Sequence, residues 1–269
     1  MSDENVLTGV TDPPTDSYTL DMILGGQLHL AQPEKGFRFG TDSILAAAAV
    51  PVKPGNSILD MGCGVGVIAA CVGVRCPETD ITAVDVSDNM VQFARWNVIA
   101  QNLTDRISVI RGNIASALPN IADGTFDHVV FNPPYFECDQ HQSAHGDGRK
   151  LARQGGGIPL ALWFKAARRY VRPGGSITLV LRASRMAEIL KHISIGAGSI
   201  EVFPFLPKSG NRAKTIIVRA FKGSNGPLVL NAGVVLHNDD GSPTREADRL
   251  LRDGHSLDDI IAAIAASQN

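Results

Sequence analysis

Features that would mark a membrane protein, a secreted protein or a repeat protein are missing from this sequence. It has no stretch of about 18 apolar residues, which argues against a membrane-spanning helix. Residues 1–16 are acidic and polar and lack the basic start and apolar run of a secretory signal. We therefore expect a disordered leader at residues 1–19 and a cytoplasmic protein. No internal repeat is visible, and 269 residues suffice for one large core with a small appendage.

Cysteine is scarce, and its spacing does not form a usual metal site. None of the four cysteines belongs to a Cys-x-x-Cys pair, so a zinc site of common spacing is not expected. They are Cys63, Cys71, Cys76 and Cys138. We expect them to be reduced thiols, as is usual in the cytosol. His141 and His145 lie four residues apart, which raises metal binding as an alternative; we interpret them as part of a mobile polar loop and expect no metal.

Charge is distributed unevenly along the chain. The net charge is −2, yet residues 149–222 hold fifteen lysines and arginines and only two acids, Glu188 and Glu201. Such asymmetry favours an anionic partner for the basic part, and nucleic acid is the leading candidate. The alternative is that basic and acidic faces pair with each other within the fold.

Apolar runs alternate with helical patterns, which predicts βαβ units and a parallel sheet. The predicted strands are residues 57–60, 81–86, 107–111, 126–131 and 176–181, with an antiparallel pair at 200–205 and 215–221. The predicted helices run from just after Gly66 towards Arg75 and over 88–101, 160–171, 244–252 and 257–266, with Ser87 as an N-cap. Residues 137–157 are too long for an ordinary connection, so they form either a functional loop or a disordered one.

A glycine-rich turn follows the first predicted strand. Residues 59–66 read Leu-Asp-Met-Gly-Cys-Gly-Val-Gly, and glycine lets the backbone turn tightly and approach a ligand. Asp60 ends that strand, and Asp85 ends the next. The second acid follows the glycine turn by about 20 residues, the spacing in sequence at which an acid reaches ribose hydroxyls. Asp60 would repel a pyrophosphate but suits the ammonium of a methionine. The combination indicates a methyl donor made of an amino acid and a nucleoside rather than a dinucleotide.

Two asparagines follow later strands at the same edge of the sheet. Asn113 is placed to bond an adenine, although an asparagine turn is an equal alternative. Asn132 opens the sequence Asn-Pro-Pro-Tyr, in which two prolines fix an extended backbone. The Asn132 amide oxygen and the Pro133 carbonyl then form two acceptors for the N–H groups of a planar amine, while Tyr135 stacks on its ring.

These motifs, in this order, resemble class I S-adenosylmethionine-dependent methyltransferases that act on planar amino nitrogens. These include adenine-N6 enzymes and the glutamine-N5 enzymes of release factors. The sequence Phe-Arg-Phe-Gly-Thr-Asp-Ser-Ile-Leu at 37–45 is similar to the bacterial tRNA valine adenine-N6 methyltransferase family. Further similarities cover residues 20–255. They are Phe136, the helix with Trp163, the Arg-Ala-Lys at 212–214 and the tail at 228–254. The family often has an acid where Asn113 stands.

The resemblance implies a doubly wound α/β fold with a seven-stranded sheet, one strand of which is antiparallel. It also implies a methyltransferase domain at 20–222, a small appendage at 223–269, and S-adenosylmethionine as cofactor. The expected catalytic residues are Asn132, Pro133 and Tyr135. The expected cofactor-binding residues are Gly40, Thr41, Asp60, Gly62, Gly64, Gly66, Asp85, Asn113 and Asn132. From the sequence alone, Thr41 or Asp42 is equally a helix N-cap.

These observations favour an enzyme that transfers a methyl group to the N6 amine of an RNA adenine. The leading substrate is tRNA. The expected RNA contacts are Arg149, Lys150, Arg153, Lys208, Arg212 and Lys214. One alternative is a protein glutamine methyltransferase, which would normally carry a helical N-terminal recognition domain. Another is a nucleic-acid-binding module with a vestigial cofactor pocket, against which intact Asp60, Asp85 and Asn132 argue.

Overall fold

The computed structural model describes residues 13–15, 17–36, 38–134 and 158–267, which form a mixed α/β structure around one large sheet. Seven strands of this sheet are β3 (Ser57–Met61), β4 (Asp80–Asp85), β5 (Ile107–Arg111), β6 (Phe126–Phe131), β7 (Val171–Arg182), β8 (Ala197–Lys208) and β9 (Thr215–Lys222). Their spatial order is β8-β9-β7-β6-β3-β4-β5, and β9 is antiparallel to both of its neighbours. This confirms the doubly wound fold with one antiparallel strand.

Helices cover both faces of the sheet, as a parallel sheet requires. They are α1 (Thr41–Ala48), α2 (Val67–Arg75), α3 (Asp88–Ala100), α4 (Leu160–Tyr170), α5 (Met186–Ile193), α6 (Arg245–Leu251) and α7 (Leu257–Ser267). Alternate strand residues enter two separate cores because side chains alternate across a strand. On β6, Val130 joins the core with α1, α2 and α3, whereas Val129 and Phe131 join the core with α4 and α5.

Most predicted elements match within one residue. The exceptions are β8, which extends three residues beyond the predicted 200–205 at each end, and the segment from 171 to 175. The predicted helix 160–171 ends at Tyr170, and β7 begins at Val171 rather than at Ser176. Pro173 and the two glycines after it lie within this strand. The register against β6 shifts there, since Val171 pairs with Phe126 while Ser176 pairs with His128. The residues at this irregularity in β7 are the ones that the sequence alone assigns to a turn.

A hairpin precedes the central sheet and was not predicted. Strands β1 (Tyr18–Ile23) and β2 (Leu28–Pro33) pair antiparallel and are joined by the 3₁₀ turn Leu24–Gly26. The prediction of a disordered leader to residue 19 is therefore wrong at Tyr18 and Thr19; residues 1–12 and 16 lie outside the described residues. Asn97 on α3 fixes β2, since it accepts from the Ala31 N–H at 2.7 Å and donates to the Ala31 carbonyl at 2.9 Å.

The predicted appendage is packed onto the main domain. Two short strands, β10 (Val229–Leu230) and β11 (Val234–His237), pair parallel with β8 and bring the sheet to nine strands. Helices α6 and α7 bury Leu250, Leu257 and Ile260 in the same core as α1 and α2.

Buried Arg219 on β9 joins α7 to the rest of the fold. Its guanidinium bonds Asp258 of α7, Glu201 of β8, and the carbonyl of Ala49 just after α1. These partners satisfy a charge that would be costly to bury alone. No helix in the described part of the chain has both the length and the apolar character needed to cross a membrane.

Candidate active site

The residues predicted to carry the chemistry meet at one edge of the sheet. Met61 near the end of β3 pairs with Val84 of β4 and with Phe131 of β6, and Asp85 pairs with Arg111 of β5. These strands are parallel, so their carboxyl ends lie side by side, where doubly wound folds bind their ligands. The structure thus brings Asp60, Asp85 and the segments that begin at Gly112 and Asn132 to a common edge.

The glycine turn between β3 and α2 needs glycine for two separate reasons. Gly62, Gly64 and Gly66 have φ values of 68°, 55° and 88°, a region that other residues rarely adopt. A side chain on Gly62 would overlap the ring of Trp163 on α4, whereas nothing lies within 4 Å of the position of a Cβ on Gly64. The turn is therefore packed against Trp163 at Gly62 and open at Gly64. The open side suits a ligand that approaches the backbone.

Asp85 supports this turn directly. Its Oδ2 accepts from the Gly64 N–H and its Oδ1 accepts from the Ser87 N–H, both at 2.9 Å. A carboxylate has about four acceptor sites, so two hydrogen bonds leave capacity for two ribose hydroxyls. Ser87 caps α3, as predicted, by accepting from the Met90 N–H.

Asp60 lies fully buried beneath the same turn. Its Oδ2 accepts from the Ala69 N–H in the first turns of α2 at 3.2 Å, and its Oδ1 has no partner among the described residues. Burial raises the pKa of Asp60 from 3.8 to about 7, and the nearby charge of Asp85 adds to the rise. A buried carboxylate with an unpartnered oxygen fits a cation, which is what the ammonium of S-adenosylmethionine supplies.

Asn113 forms a turn in this structure. Its Oδ1 accepts from the Ala115 N–H at 2.9 Å, and the side chain is exposed. This is the turn alternative that the sequence left open, and a contact with the adenine of the cofactor stays a prediction.

Asn132 is partly buried as a residue, and its amide oxygen is fully buried. Its Nδ2 donates to Ser43 Oγ on α1 at 3.1 Å, and its Oδ1 has no partner in the described part of the chain. Pro133 is buried and follows it directly. Tyr135, the third predicted catalytic residue, lies outside the described residues, as do Phe136, His141 and His145.

The start of α1 closes the pocket. Gly40 is the N-cap of α1, and Gly40 and Thr41 lie in the chain between Phe39 and Ser43 without lining the cavity themselves. Their contact with the cofactor stays a prediction. The lining residues of the cavity are Phe39, Ser43, Gly62, Cys63, Gly64, Val65, Val67, Ile68 and Asn132. Sequence reasoning missed Phe39 and Ser43. The available signal was Ser43 itself, a polar residue directly before the apolar run of α1.

The N-terminal hairpin holds Phe39 in place. The Phe39 N–H donates to Gln32 Oε1 on β2 at 3.1 Å, and Gln32 is 2% exposed. Gln32 in turn donates to Asp21 on β1, which is also paired with Arg38 at 3.1 Å. One wall of this cavity thus depends on a hairpin that lies outside the central sheet. Within the described ranges, no group of three or more His, Cys, Asp or Glu side chains is arranged to hold a metal ion.

Acid-ended strands, a glycine turn between them and Asn-Pro-Pro after β6 define a class I S-adenosylmethionine-dependent methyltransferase, and S-adenosylmethionine is its cofactor. Residues 35–196 match the family model "methyltransferase small domain", and the chain belongs to that family.

Two curated relatives and one solved structure illustrate these similarities. The tRNA1(Val) (adenine(37)-N6)-methyltransferase of Aeromonas hydrophila is 30% identical over 80% of this chain and 89% of its own length. The enzyme of the same name from Shewanella baltica is 25% identical over 84% of this chain and 95% of its own. A predicted O-methyltransferase from Agrobacterium tumefaciens has the same fold, with a TM-score of 0.67, 24% identity, and coverage of 80% of this chain and 97% of that one.

We predict that Asp85→Ala weakens cofactor binding by about 1.5–3 kcal/mol, because it removes charge-assisted hydrogen bonds to the ribose. Isothermal titration calorimetry with S-adenosylmethionine measures this. Asp88→Ala is the matched control, since Asp88 lies three residues away and is exposed in a pair with Arg111. Unchanged affinity in Asp85→Ala would remove Asp85 from the cofactor site.

We predict that cofactor affinity falls as the pH drops below about 7. Burial keeps the Asp60 pKa near that value in the free protein, and only the ionised carboxylate attracts the ammonium. The dissociation constant should therefore rise up to about tenfold for each pH unit below the pKa. Asp60→Asn should bind more weakly at pH 8 and lose this dependence. Titrations between pH 5.5 and 8.5 that give one affinity throughout would contradict the role of Asp60.

Proposed function

We propose that this enzyme transfers the methyl group of S-adenosylmethionine to the N6 amine of an unpaired adenine in tRNA. The observation that carries the proposal is the Asn132 amide, whose buried oxygen lies in the cofactor pocket without a partner among the described residues. An acceptor with no donor among the described residues is suited to an N–H group that arrives with the substrate.

The chemistry of a planar amine explains what this acceptor does. The nitrogen lone pair of adenine N6 is delocalised into the ring, so the free amine is a poor nucleophile. Hydrogen bonds from its two N–H groups to Asn132 Oδ1 and the Pro133 carbonyl favour the pyramidal form that attacks. When bound, S-adenosylmethionine would supply an electrophilic methyl group on a sulfonium, with the demethylated neutral thioether as the leaving group. The amine proton becomes acidic only as the new bond forms, so no strong base is needed beforehand, and the proton passes to water once the N–C bond has formed.

Adenine of tRNA is the substrate that the relatives' names favour. Both relatives described above are named for the N6 of adenine 37 in a valine tRNA, and this chain covers 89% and 95% of their lengths. A base must leave its stack to reach a pocket at a sheet edge, and an unpaired loop makes this least costly. An anticodon-loop adenine meets that requirement, and the proposal places the enzyme in the cytoplasm with its tRNA.

Seven of the basic residues in the described part of 149–222 fall into two groups with different surroundings. Those near the amino ends of the strands are engaged within the protein. Arg169 pairs with Asp123, Arg172 with Asp127, and Arg219 with Glu201 and Asp258. Lys222 donates to two backbone carbonyls. For this group, the alternative of internal charge pairing is the better description.

The second group lies at the carboxyl edge, on the same side of the sheet as Asn132. Lys208 ends β8, and Arg212 and Lys214 occupy the turn before β9, where Thr215 pairs with Arg182 at the end of β7. Arg212 and Lys214 are exposed, and Lys208 donates to the carbonyl of Asp239 rather than to an acid. These three cations support an RNA path beside the pocket. Arg149, Lys150 and Arg153 belong to the same prediction but lie outside the described residues.

We predict that Asn132→Ala lowers kcat by about 100-fold or more, because it removes an acceptor that matters most in the transition state. Cofactor affinity should change far less, which separates this role from cofactor binding. Asn231→Ala, which removes another partly buried amide at the far edge of the sheet, serves as the control. A wild-type rate in Asn132→Ala would show that the proposed mechanism is wrong.

We predict that tRNA binding weakens steeply with salt and that the three carboxyl-edge cations contribute to this slope. Each phosphate contact to a single strand adds about −0.7 to the slope of log K against log salt. Combined Lys208→Ala, Arg212→Ala and Lys214→Ala should flatten the slope by up to about 2. Arg169→Ala with Arg172→Ala is the matched control and should leave it unchanged. Filter binding across a salt series gives the slopes.

The substrate itself is identified by mass spectrometry of tRNA nucleosides from a deletion strain, in which N6-methyladenosine should be lost from one tRNA. Retention of every methylated adenosine, together with methyl transfer by the purified enzyme to a release-factor glutamine, would reassign it to the glutamine-N5 enzymes.

A further inference from the structure

The two polar atoms of the Asn132 amide have different surroundings. Nδ2 donates a hydrogen bond to Ser43 Oγ at 3.1 Å, while Oδ1 is buried and unpartnered among the described residues. Ser43 is 7% exposed and comes from α1, 89 residues earlier in the chain. Within the described part of the chain, the Ser43 hydroxyl is the hydrogen-bond partner that fixes this amide.

The orientation of this amide decides whether the pocket offers an acceptor or a donor. The terminal torsion of asparagine is broad and roughly two-fold, so a half turn exchanges the oxygen and the nitrogen. In the observed orientation the pocket contains a carbonyl oxygen, which accepts from an amine. In the reversed orientation it would contain an NH₂ group, which would oppose the N–H groups of the substrate. An enzyme with a reversed amide would therefore still bind the cofactor, but it would present an NH₂ group to the target base instead of an acceptor.

We propose that Ser43 is a positioning residue for methyl transfer: its hydroxyl accepts from Asn132 Nδ2 and thereby keeps Oδ1 available for the target amine. This inference rests on the proposed function, because it assumes a substrate N–H group that needs an acceptor. It gives the segment before the first central strand a role in the chemistry, beyond closing the cofactor pocket.

The fold holds the Ser43 hydroxyl in a fixed position. Ser43 lies in the first turn of α1, whose following residues Ile44 and Leu45 are buried in the core. The carbonyl of Ala49, just after α1, accepts from Arg219. Asn132 follows β6 directly and precedes two prolines, so its backbone is restrained as well. The freedom that remains is the amide torsion. A hydroxyl can donate as well as accept, so Ser43 limits this torsion by holding the amide in the observed bond, in which it accepts from Nδ2. A reversed amide would take a donor bond from Ser43 and leave Nδ2 as the buried atom without a partner.

The test measures kcat under saturating substrate and the cofactor dissociation constant for three variants of Ser43. Ser43→Ala should lower kcat about three- to tenfold, the range that loss of one neutral hydrogen bond corresponds to, with cofactor affinity within about twofold. Ser43→Thr keeps a hydroxyl and should restore most of the rate. Ser43→Cys keeps the size with a weaker acceptor and should fall between them, which keeps the test usable if Ser43→Ala folds poorly.

Ser176→Ala is the matched control. Ser176 is likewise buried and bonds a side chain, His128 Nδ1 at 2.8 Å, but it lies in the half of β7 nearer the amino ends of the parallel strands, away from the site. It should leave kcat unchanged. An equal loss of rate in Ser176→Ala and Ser43→Ala would show a general effect of removing a buried hydroxyl and would overturn the proposal.

A double-mutant cycle separates positioning from a direct contact. If Ser43 acts through the amide, Ser43→Ala should cause no further loss of kcat in the Asn132→Ala background, measured in single turnover. The same fold-loss in both backgrounds, or a change in cofactor affinity that accounts for the whole loss, would contradict the proposed role.

Parallel assays on tRNA and on a glutamine peptide distinguish the two proposals. If only the peptide is methylated, the proposed substrate is wrong, and the cycle on the peptide still tests Ser43. If tRNA is methylated and Ser43→Ala matches the wild type, only the Ser43 proposal is wrong.

Discussion

The in-register pairing of β3, β4 and β6 is the constraint on which the site depends. Their carboxyl ends stop at one level, so the turns that follow open into the same space. Because side chains alternate across a strand, a slip of one residue in β3 would move Asp60 from beneath α2 to the opposite face. The apolar strand residues that enter the two cores prevent this slip. Packing on both faces of the sheet therefore determines the relative positions of the groups that act on the cofactor and the substrate.

The central sheet and the cofactor side of the site could be predicted because their signals are local. Strands β5 and β6 have the predicted ends, α3 begins after the predicted Ser87 cap, and the glycine turn carries positive φ angles. Each of these depends on neighbouring residues and on a periodicity that the sequence contains. Asp85 and the turn meet because parallel strands end together, which follows from the fold class alone.

The parts that could not be predicted depend on contacts between distant segments or on an inverted pattern. The outward face of β1 carries Tyr18, Leu20 and Met22, which are 41%, 39% and 64% exposed, while the residues between them are polar and partly buried. Hydrophobic alternation therefore predicts the wrong buried face for this strand. Ser43 and Asn132 likewise lie far apart in sequence, and no spacing rule relates a helix residue to an amide after a later strand.

Arg219 has a consequence for how the chain folds during synthesis. Its guanidinium joins the end of α1 to α7, a helix that is translated after every strand of the sheet. Until α7 leaves the ribosome, Arg219 has Glu201 and the Ala49 carbonyl as partners but lacks Asp258. Because α7 follows every strand of the sheet in the chain, the bonds of Arg219 to Asp258 are the last of its contacts that can form as the chain emerges.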